Sequence, residues 1–385
     1  MCKRLRFFAI FTLILVFIPS FLFSEFLRDE KNGFAIDLVD GFYLAEKTET
    51  SYYCLSDFIP VEIVVNVYPK ERFSSPNESI AFSSKQLAAS KCDVSTVEYR
   101  NFPCEIAYLE FNFQNTSCIG YMLAIQLGEK QILSVLGYTA KGNNPIFESI
   151  ILSCLDSVFV DHGSFFTPGP VTSFVFPKEG KVRQNVTIGG VTTSVLFDKV
   201  DAEANEYVIN REYEILKMLS NTDYWFSSWQ RFYQLIYRDS YGRIKDACFN
   251  LCSKIYSVSF GKDDCDSLYA QTVLSFVQNK PYGRNTGGSD FQNLISTFCG
   301  EKSDCDSRSL LCTILLNMMD VKSTFFVSVE YSHAMVGALI EHPGAKLQVG
   351  EDWYVLGETT AKVDFGKVAK NMSDSQKWLN IELGQ

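Results

Sequence analysis

The stretch "GEKSDCDSRSLLCTILLNMM", residues 300–319, decides how the second half of this 385-residue chain is read. Cys305 stands between Asp304 and Asp306, ahead of an apolar run in which Leu310, Leu311, Ile314, Leu315 and Met318 share one face at helical spacing. Asp304 or Ser303 is placed to cap a helix that starts near Cys305, because the first helical turn leaves N–H groups that need acceptors. A thiol there lies at the positive end of a half-buried helix, where the thiolate is favoured. The two aspartates oppose that effect if their charges face the sulfur. Cys312, two turns further on, reads as a core residue.

A thiolate nucleophile needs a base, usually histidine, and a third group that fixes the imidazole. The chain has three histidines. His162 and His342 fall in turn-like sequence and read as loop residues. His333 opens the second of two strand-like runs in "FFVSVEYSHAMVGALIEH", residues 325–342. Beyond it, "EDWYVLGETTAKVDFG", residues 351–366, reads as a strand ending at Glu358. The order is a cysteine at a helix start, 28 residues to a strand-start histidine, then 25 to an acid at the end of the next strand. Adjacent antiparallel strands would set the acid beside the imidazole while the helix offers the thiol to its other nitrogen.

On these residues the chain resembles the transglutaminase-like cysteine-enzyme superfamily, of bacterial type. The matching stretches are "SDCDSRSLLCTILL", "SHAMVGA" and "WYVLGETTA", with "LSFVQNKPYG" upstream, so the likeness runs from about Leu274 to Val363. It implies a papain-like fold and acyl transfer through a thioester, with Cys305 as nucleophile, His333 as base and Glu358 as orienting acid. Three positions depart from the family pattern. Ser303 replaces a glycine, Met335 replaces an aromatic residue, and Gly357-Glu358 stands where many members carry Asp-Pro-Thr. Gln278, Tyr282 and Asp304 are supporting candidates around an oxyanion hole in which the Cys305 N–H is one donor.

Outward from this core, "DAEANEYVINREYEILKMLS", "DYWFSSWQRFYQLIYRDS" and "YGRIKDACFNLCSKIYSVSF" predict three amphipathic helices between Asp201 and Phe260. Their aromatics Trp225, Trp229, Phe232 and Tyr233 read as core packing. "NVTIGGVTTSVLFD" predicts a hairpin turning at Gly189-Gly190. "DHGSFFTPGPVTS", residues 161–173, concentrates Gly, Pro and Ser and reads as a linker. Before it, "GFAIDLV", "VEIVVNVYP", "FPCEIAYLEFNF", "IGYMLAIQLG" and "QILSVLGYTA" predict strands, and "NESIAFSSKQLAAS" and "NPIFESIILSCLDSVFV" predict helices laid on their sheet. The order of these elements is similar to the small sheet-and-helix modules of the PsbP/Mog1 type.

The expected architecture is therefore α+β: a sheet-and-helix domain over residues 25–160, the linker, and a transglutaminase-like domain over 174–385 with its catalytic core at about 260–370. Residues 1–24 carry Lys3, Arg4 and Arg6 ahead of a 17-residue apolar run and a small residue, Ser24, which is the layout of a signal peptide. The expected location is exported: periplasmic, cell-envelope or secreted, with membrane contact only if the segment is uncleaved. Its removal takes the formal net charge from −10 to −13, which disfavours a nucleic-acid partner. The expected partner is a protein or peptide substrate, and no cofactor or metal is implied. Cys248 and Cys252, four apart in "CFNLC", lack the CxxC spacing and nearby histidine of a zinc site. A disulfide from one of them to Cys265 or Cys299 is the preferred reading. "GKDDCDS", residues 261–267, lacks the spacing of a calcium loop and reads as a solvated acidic turn. The function expected is that of a cysteine peptidase or amidase. The alternatives are a non-catalytic binding or structural module of the same fold and a protein cross-linking enzyme.

Overall fold

The computed structural model describes residues 26–259, 261, 264–284 and 289–383. The export segment expected over residues 1–24, residues 262–263 of the acidic turn and 285–288 of the Gly-rich loop lie outside these. The fold is α+β. A hairpin of β1 (Phe26–Asp29) and β2 (Phe34–Asp37) leads into β3 (Phe42–Lys47), β4 (Ser51–Ser56), β5 (Val61–Pro69), α1 (Pro76–Gln86), β6 (Lys91–Thr96), β7 (Cys104–Phe113), β8 (Thr116–Leu127), β9 (Gln131–Ala140) and α2 (Ile146–Asp156). Strands β3 to β9 form one antiparallel sheet in the order β3-β4-β5-β9-β8-β7-β6. In β5, Val61, Ile63, Val65 and Val67 are buried while the residues between them are half-buried, because successive side chains point to opposite faces. Ile150, Ile151 and Leu155 of α2 cover one face of the sheet, and Ile80 of α1 packs into the apolar cluster on the other.

The segment read as a linker is packed. A 3-10 turn, His162–Phe166, is capped by Asp161, whose carboxylate accepts from Ser164 N at 2.7 Å. Ser164, Pro170, Val171 and Thr172 are buried. Helix α3 (Pro170–Val175) is held by Asp156, which accepts from Thr172 N at 2.9 Å and from Thr172 Oγ1 at 2.5 Å. A Cβ at Gly169 would lie 2.1 Å from the Asp156 carbonyl oxygen, so this glycine permits close packing rather than slack. Composition alone does not separate those two uses.

The hairpin of β10 (Lys181–Ile188) and β11 (Val191–Asp198) turns at Gly189 and Gly190 as expected, with φ of +56° and +79°. Helix α4 (Asp201–Leu219) follows. Residues Trp225–Ser259 then form one 35-residue helix, α5, where the sequence suggested two. Gly242, near the junction of the two expected segments, sits mid-helix, and the carbonyl of Phe166 passes 2.5 Å from where its Cβ would be. Phe232 and Tyr233 are core residues, but Trp225, at the free end of α5, is 42% exposed. The chain continues through α6 (Cys265–Gln278), α7 (Leu294–Cys299), α8 (Cys305–Asn317), β12 (Ser323–Ser328), β13 (His333–Ala338), β14 (Lys346–Val349), β15 (Asp352–Gly357) and β16 (Leu379–Ile381). The last five strands form an antiparallel sheet in the order β14-β15-β13-β12-β16. Helix α8 packs on the face that carries Phe325, Ala334 and Val336, while Leu347 and Trp378 share a cluster with Phe326 and Met335 on the other.

All eleven described cysteines are free thiols, so the expected disulfide is not formed. Cys248 and Cys252 are buried in the core that α5 shares with α6, whereas Cys265 lies at the start of α6 and Cys299, at the end of α7, is packed against the edge of that core. Cys312 is fully buried in the same core.

Candidate active site

Asp304 caps α8 as expected, accepting from Ser307 N at 2.9 Å and from the Ser307 hydroxyl. Cys305 is therefore the first residue of a helix whose side chains are almost all buried, and it is itself 3% exposed. Ser309, one turn on, ties this helix to both strands that carry the other candidates. It donates to Ala334 O of β13 at 3.2 Å and meets the Thr359 hydroxyl, just past β15, at 3.0 Å.

Strands β13 and β15 pair with Val336 opposite Gly357. Continuing that register sets Glu358 opposite Met335, one diagonal step from His333 on the same face. The two side chains meet: His333 Nε2 lies 2.8 Å from Glu358 Oε2. The other carboxylate oxygen accepts from Thr360 N at 2.7 Å and from Thr360 Oγ1 at 2.6 Å. Burial pushes the Glu358 carboxyl up, but the hydrogen bonds from His333 and Thr360 outweigh it and hold the group below the usual glutamate range. An ionised Glu358 accepts a hydrogen bond from Nε2–H, which leaves Nδ1 as the lone-pair nitrogen. The imidazole is flanked by Trp378, at a ring separation of 6.2 Å in edge contact.

The cysteine is placed differently from the sequence expectation. Its sulfur donates to Asp306 Oδ1 at 3.3 Å, and among the described residues no hydrogen bond joins it to His333. The backbone N–H of Ala334, next to His333, also acts on the sulfur and favours its charged form. Burial pushes the thiol well above its ordinary range, and the charges of Asp306 and Asp304 add to the effect. The sequence left the sign of the aspartates open; both oppose ionisation. Asp304 is itself pushed up to about 7 by burial and by the Asp306 charge. Asp306 is raised by burial, against hydrogen bonds from Tyr233 and Cys305.

Two of the supporting candidates take other roles. Gln278, proposed for the oxyanion hole, uses Nε2 to donate to Glu358 O and Val363 O, both at 2.8 Å, so it braces the acid-bearing loop and has no N–H left for an oxyanion. Tyr282 is 53% exposed, and its backbone forms a bridge with Ser303.

One residue was missed. Arg308, 1% exposed, donates to Ser303 Oγ at 3.1 Å, to Thr359 O at 3.2 Å and to Lys280 O at 2.5 Å. It joins the loop before α8, the segment after β15 and the end of α6. Its signal in the sequence was an arginine in the first turn of a helix, the end at which the dipole disfavours a cation.

A cavity of about 590 Å³ opens between β1, β2 and α5, lined by Phe26, Phe34, Phe159 and Arg238 among others, and none of the catalytic candidates borders it.

No protein-family model matches the chain, and no curated protein matches it in sequence. The solved structures similar to it include the Ran-binding protein Mog1p of Saccharomyces cerevisiae, at 10% identity over 36% of this chain and 96% of that one, with a TM-score of 0.28. PsbP of the cyanobacterium Synechocystis is similar at 8% identity over 37% and 94%, with a TM-score of 0.29. A structure from Bacteroides thetaiotaomicron is similar at 10% identity over 75% and 95%, with a TM-score of 0.24.

Proposed function

We propose that the chain is an exported cysteine-dependent acyl-transfer enzyme of transglutaminase-like type, acting as a peptidase or amidase. The observation that carries this reading is the 2.8 Å contact between His333 and Glu358 at neighbouring strand ends, with the helix-start thiol of Cys305 against the backbone of the residue after His333. In the reaction, His333 Nδ1 takes the S–H proton while Nε2–H stays bound to Glu358. The sulfur attacks the substrate carbonyl carbon, and the resulting oxyanion is met by N–H groups of the first turn of α8. His333 returns the proton to the departing amine, which leaves a thioester on Cys305. Water, deprotonated by the same Nδ1, then releases the acid and restores the thiol. A lysine amine in place of water would give a cross-link; hydrolysis is favoured because water is always at hand.

A second reading, a binding module of the same fold without catalysis, draws on the Cys305–Asp306 contact and on the burial of the sulfur. Incubation with a panel of activated esters and short peptides, followed by mass measurement of the intact chain, separates the two. The catalytic reading expects an acyl adduct on Cys305 that hydroxylamine removes, and formation slower by roughly a hundredfold or more in His333→Ala. Adducts absent across the panel, or formed equally fast without His333, would exclude it.

A further inference from the structure

We propose that Tyr233 and Asp306 form a latch on the nucleophile: the Tyr233 hydroxyl fixes the Asp306 carboxylate, and that carboxylate holds the Cys305 S–H in a resting state. The inference rests on Cys305 being the nucleophile.

Neighbouring residues on a helix point in different directions, so a cysteine and the aspartate after it do not ordinarily face each other. Here they do, at 3.3 Å between Sγ and Oδ1. The reason lies on α5, where the Tyr233 hydroxyl donates to the other carboxylate oxygen, Oδ2, at 2.6 Å. Tyr233 has little freedom to move: it is 1% exposed and its ring packs edge-on against Phe325 at 4.7 Å, with Phe232, Phe291 and Trp229 around it. A rigid donor thus holds the carboxylate, and the held carboxylate takes the thiol proton as its second hydrogen bond. The groups acting on Asp306 are Tyr233 from α5, Cys305 and Asp304 at the start of α8, Asp290 from the preceding loop and His333 from β13. Of these, His333 is the group to which the proposed reaction passes the thiol proton. Catalysis then begins with one exchange: the S–H···Oδ1 bond breaks, the sulfur turns, and its proton passes to His333 Nδ1.

Tyr233 is a positioning residue here, since it acts on the thiol only through Asp306. The test is the alkylation rate of Cys305 by iodoacetamide in the full-length protein, read peptide by peptide between pH 5.5 and 9.5. The latch expects Asp306→Asn to raise the rate at pH 7 at least tenfold and to move the midpoint of the profile to lower pH. Tyr233→Phe, which keeps the ring and its packing, should shift the profile the same way by less, and the double variant should match Asp306→Asn alone. Rates equal to or below the unmodified protein's, with midpoints equal to or above its own, in both folded single variants, judged by thermal melting, would overturn the proposal. Acceleration in Asp306→Asn supports the latch whatever His333→Ala does to acyl-adduct formation, so failure of the catalytic reading is seen separately.

Discussion

At the scale of single residues, the site is governed by buried carboxylates of opposite tendency. Glu358 is held ionised by its donors, while Asp304 is pushed up to about 7. A carboxyl whose folded pKa exceeds its unfolded value contributes stability that is full below the unfolded pKa and lost as pH rises through the folded one. Asp304 therefore costs stability between about pH 4 and pH 7. Asp304→Asn keeps a capping oxygen without the charge. Its melting temperature should match the unmodified protein near pH 4 and exceed it by ~2 °C or more above pH 7. A constant difference across that range would mean that the carboxyl does not titrate there. For Glu358 the sign is reversed. Glu358→Gln removes the charge that selects the Nε2–H tautomer of His333, and acyl-adduct formation should fall by roughly a hundredfold at any pH between 6 and 8. The residue types and their order were legible because each candidate sits at an element end, where caps and strand starts leave a pattern. Tyr233 and Arg308 were not legible in the same way, since Asp306 lies 73 residues from Tyr233, and two of the groups that Arg308 binds, Lys280 O and Thr359 O, lie 28 and 51 residues from it.

At the scale of elements, many strands and helices followed their periodicity, and some of the exceptions have their cause in long-range packing. Gly242 is the clearest. In an exposed helix, Gly→Ala gains ~1 kcal/mol because alanine loses less backbone entropy on folding. Here the new Cβ would meet the Phe166 carbonyl at 2.5 Å, and backbone cannot step aside as a flexible side chain would. Gly242→Ala should lower the melting temperature by ~2 °C or more, measured by circular dichroism; an increase would mean the contact is loose. Strands β14 and β16 left no alternation that could be read, being four and three residues long. Arg308 makes the complementary case for α8. Replacing it with methionine leaves the Thr359 and Lys280 carbonyls without this donor, at a cost of about 1–3 kcal/mol for each buried group left unsatisfied, read by chemical denaturation.

At the scale of the whole molecule, the N-terminal sheet and the following helices are joined by a buried ionic chain. Arg231 of α5 donates to Asp37 Oδ1 at 3.2 Å and to Glu212 Oε2 at 2.8 Å, and Arg211 of α4 donates to Glu212 Oε1 at 2.7 Å and to Asp156 Oδ2 at 2.9 Å. All five side chains are 6% exposed or less. Replacing one member of such a chain leaves its partners charged and dry, so Arg231→Met should cost about 3–5 kcal/mol. Calorimetry should show one transition for both halves rather than two, because the carboxylates of one half are neutralised by the arginines of the other. No alternation or spacing in the sequence pointed to this chain; the composition of residues 161–173 suggested the opposite, a loose joint. The chain also has a direction in time. Asp37 and Asp156 leave the ribosome well before Arg211 and Arg231, so a nascent sheet module holds two acids in its future interior with nothing yet to neutralise them. A fragment that stops at the end of that module, near residue 160, would remain in that unfinished condition, whereas one carried beyond residue 231 would bring its own counter-ions.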